Sequence, residues 1–358
     1  IQKSEDVIHS LWFFKEDYSE LHVIAAGSLL EFALKDLSSF GVGRVSSLFV
    51  YPMSFDEFLM ATGQEGLLRT KRNSSPTNPL PEAFYNRLVE DFRSYMLVGG
   101  MPEAVATYSE SGSYRYSSDV VNEIIQGYQD DFAKYGAKAN PLLLRQTLIS
   151  VAHQAGAKFV YSRVEGQYRS AEVKVALEML KDAGLIIPTY HTDANGVPLG
   201  AEINERVVKY LIHDTGVLLG ILGIDDDIDD SIKEMMVADS IDLVDKGHVA
   251  EMMAGLELVK YSSPQKRHQL YYWQNMNKGT CAEVDYVIAR SGSIVPIEVK
   301  SGVKGSMSSM YSLMRNPQKH IEMGIRCSLE NFGTFESPDG KKIDIIPLYA
   351  ISNLFAEK

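Results

Sequence analysis

The spacing of apolar positions changes several times along the chain. From residue 5 to 20, Val7, Ile8, Leu11, Trp12 and Phe14 fall largely on one helical face. Trp12, Phe13 and Phe14 beside Leu11 are expected to be core rather than a base-stacking platform. His22 to Ser28 is a short apolar run ending in small polar residues, the pattern of a buried parallel strand that delivers a residue to the carboxyl edge of an α/β sheet. Leu29 to Leu37 then predicts a helix and Arg44 to Val50 a second strand, so residues 1–70 predict one crossover unit of an α/β domain. Lys71 to Pro81, with Asn, Ser, Thr and three prolines, predicts an exposed loop. Residues 82–138 predict a helical segment, interrupted at Gly99-Gly100-Met101-Pro102-Glu103, a turn that stops one helix and aims the next.

Residues 139–212 predict a winged helix. Its helices are Leu142 to Ala155 and Ala171 to Ala183, and Gly184 to Pro188 leads into a hairpin that turns at Asp193-Ala194-Asn195-Gly196. The acidic run Asp225 to Asp230 reads as a solvated loop, because so many like charges repel one another. Residues 213–358 form the last predicted domain: a helix from Val249 to Val259, strands at Gln269–Gln274, Ala282–Ala289 and Ile294–Val299 with a tight turn at Arg290 to Ser293, helical cover at Ser308–Arg315 and Pro317–Met323, and a closing strand at Ile343–Ala350. The predicted class is therefore α/β and multidomain.

The chain has 358 residues, too many for one ordinary core, and 45% of them are apolar. Its longest apolar stretches fall well short of the roughly 18 to 20 residues that span a bilayer, so no membrane partner is expected. Cys281 and Cys327 could form at most one disulfide, and a cytoplasmic location is expected. The first residue is Ile1 rather than Met, and a helix opens there without a cap, from which the chain is expected to begin inside a longer protein. A net charge of −12 opposes nonspecific attraction to nucleic acid. On the second helix of the predicted winged segment, Glu172, Glu178 and Asp182 offset Arg169, Lys174 and Lys181, so packing and DNA reading remain alternatives there. The histidines and cysteines lack metal-ligand spacing, so no zinc site is expected.

The sharpest chemical signal is Glu283-Val284-Asp285 on one strand and, thirteen residues after Asp285, Glu298-Val299-Lys300 on its hairpin partner. Strand alternation lets such a hairpin bring Asp285, Glu298 and Lys300 together. The two carboxylates, Asp285 and Glu298, could hold Mg²⁺ through hard oxygen ligands, and Lys300 could orient water or stabilise charge on a phosphate. Glu251 on the preceding helix could add a carboxylate. Charged residues alternating on an exposed sheet face account for the same spacing without any catalytic role. The pattern resembles the PD-(D/E)XK restriction-endonuclease-like motif, with Asp285, Glu298 and Lys300 in the matching positions. It departs from that motif where Glu283-Val284 replaces the Pro that often precedes the Asp.

A second set of signals occurs in order: Ile1-Gln2, Gly27-Ser28-Leu29-Leu30, Gly43-Arg44-Val45, Pro52-Met53-Ser54-Phe55-Asp56-Glu57-Phe58 and Gly99-Gly100-Met101-Pro102-Glu103. Together they resemble the prokaryotic AAA-type ATPases that carry a C-terminal domain of unknown function 4143. In that family the Walker B Asp-Glu pair stands immediately before an Ile-Gln such as Ile1-Gln2. The resemblance implies a partial P-loop ATPase fold followed by a winged helix and a restriction-endonuclease-like α/β domain, in a chain lacking the phosphate loop and the Walker B acids. It implies ATP and Mg²⁺ as cofactors of the full-length protein, with Ser28 at the sensor position and Arg44 contacting phosphate. Read from the residues alone, Ser28 caps the helix at Leu29 and Arg44 makes a surface ion pair. The function expected is an ATP-driven switch coupled to the C-terminal module. The alternatives are a Mg²⁺-dependent DNA nuclease regulated by the ATPase half, and a non-catalytic protein-interaction or DNA-binding module. Nucleic acid, a protein partner and a second copy of the chain all stay open as partners.

Overall fold

A computed structural model describes residues 5–27, 45–133, 140–223, 246–275, 282–302 and 305–355. Helix α1 (Glu5–Asp17) buries Ile8 completely but leaves Trp12 and Phe13 exposed, so these two rings are not core as the sequence suggests. Residues 21–27 and 45–50 join no ladder, which corrects the two strands expected there as far as the described residues reach. A strand needs a run of paired backbone groups, and here the Phe49 N–H reaches the Pro264 carbonyl at 2.8 Å without extending into a ladder, while Ile24 is 96% and Val50 93% exposed.

Five helices follow: α2 (Phe55–Ala61), α3 (Glu65–Arg72), α4 (Glu82–Val98), α5 (Pro102–Ser111) and α6 (Tyr114–Phe132). Helix α2 starts at a capping box in which Glu57 Oε2 accepts the Ser54 N–H at 2.7 Å and Ser54 caps in return. Phe55, Phe58, Phe92 and Tyr95 stack into one aromatic core, with Phe55 edge-on to Phe92 at 5.1 Å. Gly99 (φ +78°) ends α4, and Pro102 opens α5. Gly100 lies between these ends because a Cβ there would come within 2.2 Å of the Met53 carbonyl. Its N–H donates to Asp214 Oδ2 at 2.6 Å, and Met53 N–H donates to its carbonyl at 2.7 Å.

Helices α7 (Pro141–His153) and α8 (Ser170–Asp182) precede an antiparallel pair, β1 (Ile186–Thr192) and β2 (Ile203–Ile212). The segment between the strands is longer than the turn expected at Asp193 to Gly196 and includes a short 3-10 helix, Leu199–Glu202. The hairpin is not free-standing. Beyond α9 (Thr215–Ile221) and α10 (Lys246–Lys260), strand β3 (Leu270–Gln274) pairs parallel with β1, and β4 (Glu283–Val284) pairs antiparallel with β3. One four-stranded sheet, β2-β1-β3-β4, thus runs across the boundary expected near residue 212.

The second sheet is β5-β6-β7-β9-β8, formed by β5 (Tyr286–Arg290), β6 (Ser293–Val299), β7 (Met323–Ser328), β8 (Gly333–Glu336) and β9 (Lys342–Pro347), with α11 (Ser308–Arg315) packed on it. Its centre is parallel, β6 to β7 to β9, and its edges are antiparallel. The single strand expected at Ala282–Ala289 is broken at Asp285, where the chain leaves the first sheet and enters the second. The helix expected at Pro317–Met323 is only a 3-10 turn, Pro317–Lys319, because His320 adopts φ +49° and Met323 already belongs to β7. The closing strand stops at Pro347, where a 3-10 helix, Leu348–Leu354, begins.

Helix α10 is buried on all sides from Val249 to Val259, as a helix between layers must be. Gly255 permits this, since a Cβ there would meet the Tyr286 hydroxyl at 2.4 Å. That hydroxyl donates to the Glu251 carbonyl at 2.8 Å and ties the helix to β5.

Candidate functional site, a carboxylate and lysine cluster

Asp285 stands at the corner between the sheets, one step beyond the Tyr286–Ile297 pair of the β5–β6 ladder, which sets it against Glu298. Its Oδ2 accepts the Val299 N–H at 2.7 Å. Glu298 lies near the end of β6, and its Oε1 accepts from the Lys300 ammonium at 2.7 Å. Lys300 is held at the strand end by its N–H, which donates to the Cys327 carbonyl of β7 at 2.8 Å. Glu298 Oε2 is buried and has no partner, although the residue is only 5% exposed. A buried carboxylate oxygen without a donor or cation is costly unless something fills the place.

Glu251 of α10 and Glu283 of β4 complete the carboxylates. Both accept from the ammonium of Lys209 on β2, at 2.8 Å and 2.5 Å. Lys209 is 2% exposed, and its ammonium lies 5.0 Å from the ring centre of Tyr272. It escaped the reading of the sequence, although a lone lysine in the run Val207-Val208-Lys209-Tyr210-Leu211-Ile212 signals a buried counter-ion. Glu283 was seen in the sequence as strand pattern only.

Four carboxyls share this place with two ammonium groups, and burial decides who keeps a proton. Burial, with the charges of Asp285 and Glu283 added, pushes the Glu251 carboxyl up to about 8 against the pull of Lys209. Burial and Asp285 push Glu298 up to about 7 against Lys300. Burial also raises Asp285, opposed by the Val299 N–H and by both lysines. Lys209 is the converse: burial disfavours its charge, but Glu251 and Glu283 together outweigh that and hold it protonated above the usual lysine range.

The structure thus brings Glu251, Asp285, Glu298 and Lys300 to one cluster. Ser28 and Arg44, expected at the nucleotide, lie outside the described residues. Among the described residues no group of three or more His, Cys, Asp or Glu side chains is arranged to hold a metal ion. A cavity of about 680 Å³ opens elsewhere, at the irregularity between Tyr190 and His191, lined by Lys174 and Arg206 as well as Asp193, Glu202 and Glu205. None of the clustered carboxylates lines it, so volume does not mark the chemistry here.

Three family models match the chain. An AAA domain covers residues 1–59, the domain of unknown function 8612 covers 89–228, and the domain of unknown function 4143 covers 246–351. No curated protein and no solved structure matches it. No helix among the described residues is long and apolar enough to cross a membrane. Lys209 falls within the 89–228 match, whereas Glu251, Glu283, Asp285, Glu298 and Lys300 fall within 246–351, so the cluster is assembled from two matched regions.

Proposed function

For this AAA-type protein, whose domain of unknown function 4143 lies C-terminal to its AAA segment, we propose that the cluster around Asp285 and Glu298 is a Mg²⁺-dependent phosphodiester-cleaving site, answering to the nucleotide state of the ATPase part. The observation that carries this reading is the orphaned, buried Glu298 Oε2 beside Asp285, with the Lys300 ammonium on the other oxygen of the same carboxylate. A carboxylate pair with a free oxygen, completed by water, suits a hard divalent ion that keeps much of its hydration shell. When bound, such an ion would neutralise phosphate charge and lower the pKa of its water.

The chain's own residues would do the rest. Asp285 is fixed by the Val299 N–H, and Lys300 is anchored through β7, so both hold their geometry before substrate arrives. The Lys300 ammonium, about a fifth exposed, can turn from Glu298 to a phosphate oxygen or an attacking water. Coupling to the ATPase part has a physical route in α10. Glu251 sits in this helix, and two turns further on Glu257 Oε2 accepts the Phe55 N–H at 3.2 Å while the Lys260 ammonium donates to the Met53 carbonyl at 3.0 Å. Residues 53–55 belong to the AAA match, so a shift there bears directly on the helix that carries Glu251.

One observation favours a second reading, a non-catalytic interaction module: Lys209 already pairs with both Glu251 and Glu283 inside the protein. The experiment that separates the two is Mg²⁺-dependent cleavage of plasmid and single-stranded DNA by the chain and by its Glu298→Ala, Lys300→Ala double variant. Cleavage lost in the variant supports the nuclease reading. No cleavage by either protein, or equal cleavage by both, removes it.

A further inference from the structure

We infer that Lys209 is a built-in cation standing where a second metal ion would otherwise bind, so that the cluster takes one divalent ion, at Asp285 and Glu298, and not two. This rests on the reading above that the Asp285–Glu298 pair holds a divalent cation.

Asp285 stands opposite Glu298 at the head of the β5–β6 ladder, its Oδ2 accepting the Val299 N–H, and its charge is felt at both Glu298 and Glu251. Four carboxylates, Asp285 among them, are enough acid for the paired-ion arrangement, in which two ions stand roughly 4 Å apart and clamp both the attacking and leaving oxygens. The two halves of the cluster differ, however. On the Glu298 side one oxygen is taken by Lys300 and the other is buried and vacant of any donor. On the Glu251 side the Lys209 ammonium bridges Glu251 and Glu283 at 2.8 Å and 2.5 Å.

Lys209 cannot readily leave that place. Its side chain is 2% exposed, and its strand is paired with β1, Lys209 opposite Thr189. Behind the ammonium is the Tyr272 ring at 5.0 Å, whose own hydroxyl donates to the Val207 carbonyl at 3.4 Å. Withdrawing the ammonium would strand a buried charge among Tyr272 and the apolar side chains of β2, which is strongly unfavourable. A divalent ion entering beside Glu251 would also meet the fixed positive charge at close range. The ammonium therefore supplies one of the two positive charges a second ion would bring, with no ion to lose.

The test counts ions rather than turnover. Mn²⁺ is titrated into the full chain, and bound ions are counted by calorimetry and by loss of the free-ion electron paramagnetic resonance signal. The wild-type chain is expected to take one ion, and Glu298→Gln to take none. Lys209→Met keeps the length of the stem but lacks the ammonium, and it is expected to take two. Lys209→Gln, uncharged but still able to donate to a glutamate, is the second variant in case the methionine one does not fold, and it is also expected to take two. A wild-type count of two overturns the inference whatever the variants do, as does a count of one in a folded Lys209 variant. A wild-type count of zero, or one ion that Glu298→Gln leaves in place, refutes the metal site of the preceding reading and the inference with it.

Discussion

Replacing Glu298 with glutamine is expected to stabilise the metal-free protein at alkaline pH while removing its hold on a divalent ion. An unfolded glutamate gives up its proton near 4.5, whereas in the fold burial and Asp285 push Glu298 up to about 7. Between these values the folded state binds more protons than the unfolded one, so this group makes stability fall as pH rises. Its contribution is fully present below about 4.5 and has been lost once pH passes about 7. The gap corresponds to about 3 kcal/mol at a conversion of roughly 1.4 kcal/mol per pKa unit. Glutamine imitates the protonated form, because it is neutral and still accepts from Lys300.

The difference in unfolding free energy between Glu298→Gln and wild type should therefore be under about 1 kcal/mol near pH 5, grow through neutrality, and level off at about 3 kcal/mol near pH 8. Urea unfolding in chelator across that range, read by circular dichroism, measures the difference directly. A flat difference, or a variant less stable than wild type at pH 8, would refute the account of Glu298 as a carboxyl held against its own charge. Saturating Mn²⁺ should reverse the order at pH 8, since an ion that binds only the fold of the wild-type chain stabilises only that chain.

Further substitutions test what holds the fold away from the cluster. Gly100→Ala forces a Cβ to within 2.2 Å of the Met53 carbonyl and strains the hydrogen bond to Asp214, so it should cost about 3 kcal/mol in urea unfolding. Gly112→Ala has open space and only the left-handed backbone to contend with, and should cost about 1 kcal/mol. Equal costs would show that the Gly100 contact is not what holds the α4–α5 turn. Lys71→Met removes a fully buried ammonium that pairs with Asp56 and donates to Ser352 at 2.7 Å, leaving Asp56 with Arg72, and should cost about 3 kcal/mol. Adding Asp56→Asn should recover much of that loss, and no recovery in the double variant would mean the lysine acts through packing alone.

The parts of the fold and site that were legible in the sequence are those fixed by near neighbours. Asp285, Glu298 and Lys300 could be brought together on paper because a hairpin turn and a two-residue alternation decide their meeting. Helices α4, α7 and α8 were legible through period and the Gly-Gly-Met-Pro break, whereas the second break, at Gly112 between α5 and α6, was not. What local pattern could not give was partnership over distance. Strand β7 sits between β6 and β9, and nothing in its short run Met323-Gly324-Ile325-Arg326-Cys327-Ser328 names those partners. The apolar run at residues 22–27 has the composition of a strand but joins no ladder among the described residues. Lys209 stands out in the sequence only as a charge in an apolar run; which groups it pairs with comes from Glu251 and Glu283, brought to it by α10 and β4.

On the proposed coupling, α10 rather than either sheet would carry the signal, because it touches both the segment at residues 53–55 and the cluster. Glu251 and Glu257 are six residues apart, about 9 Å along a helix that rises roughly 1.5 Å per residue. One is engaged by Lys209, and the other accepts from Phe55 and, at 2.9 Å, from the Tyr95 hydroxyl. Because α10 is packed on every side, a displacement at Phe55 cannot be absorbed by local bending and must be carried along the helix or resisted by it. Burial raises the Glu251 carboxyl and Lys209 opposes that rise, so a change in the place of Glu251 relative to Lys209 would change how readily it holds its proton. A nucleotide that favours one position of α10 would thereby favour one charge state of the cluster, and by linkage an ion bound at Asp285 and Glu298 would alter nucleotide affinity by the same factor.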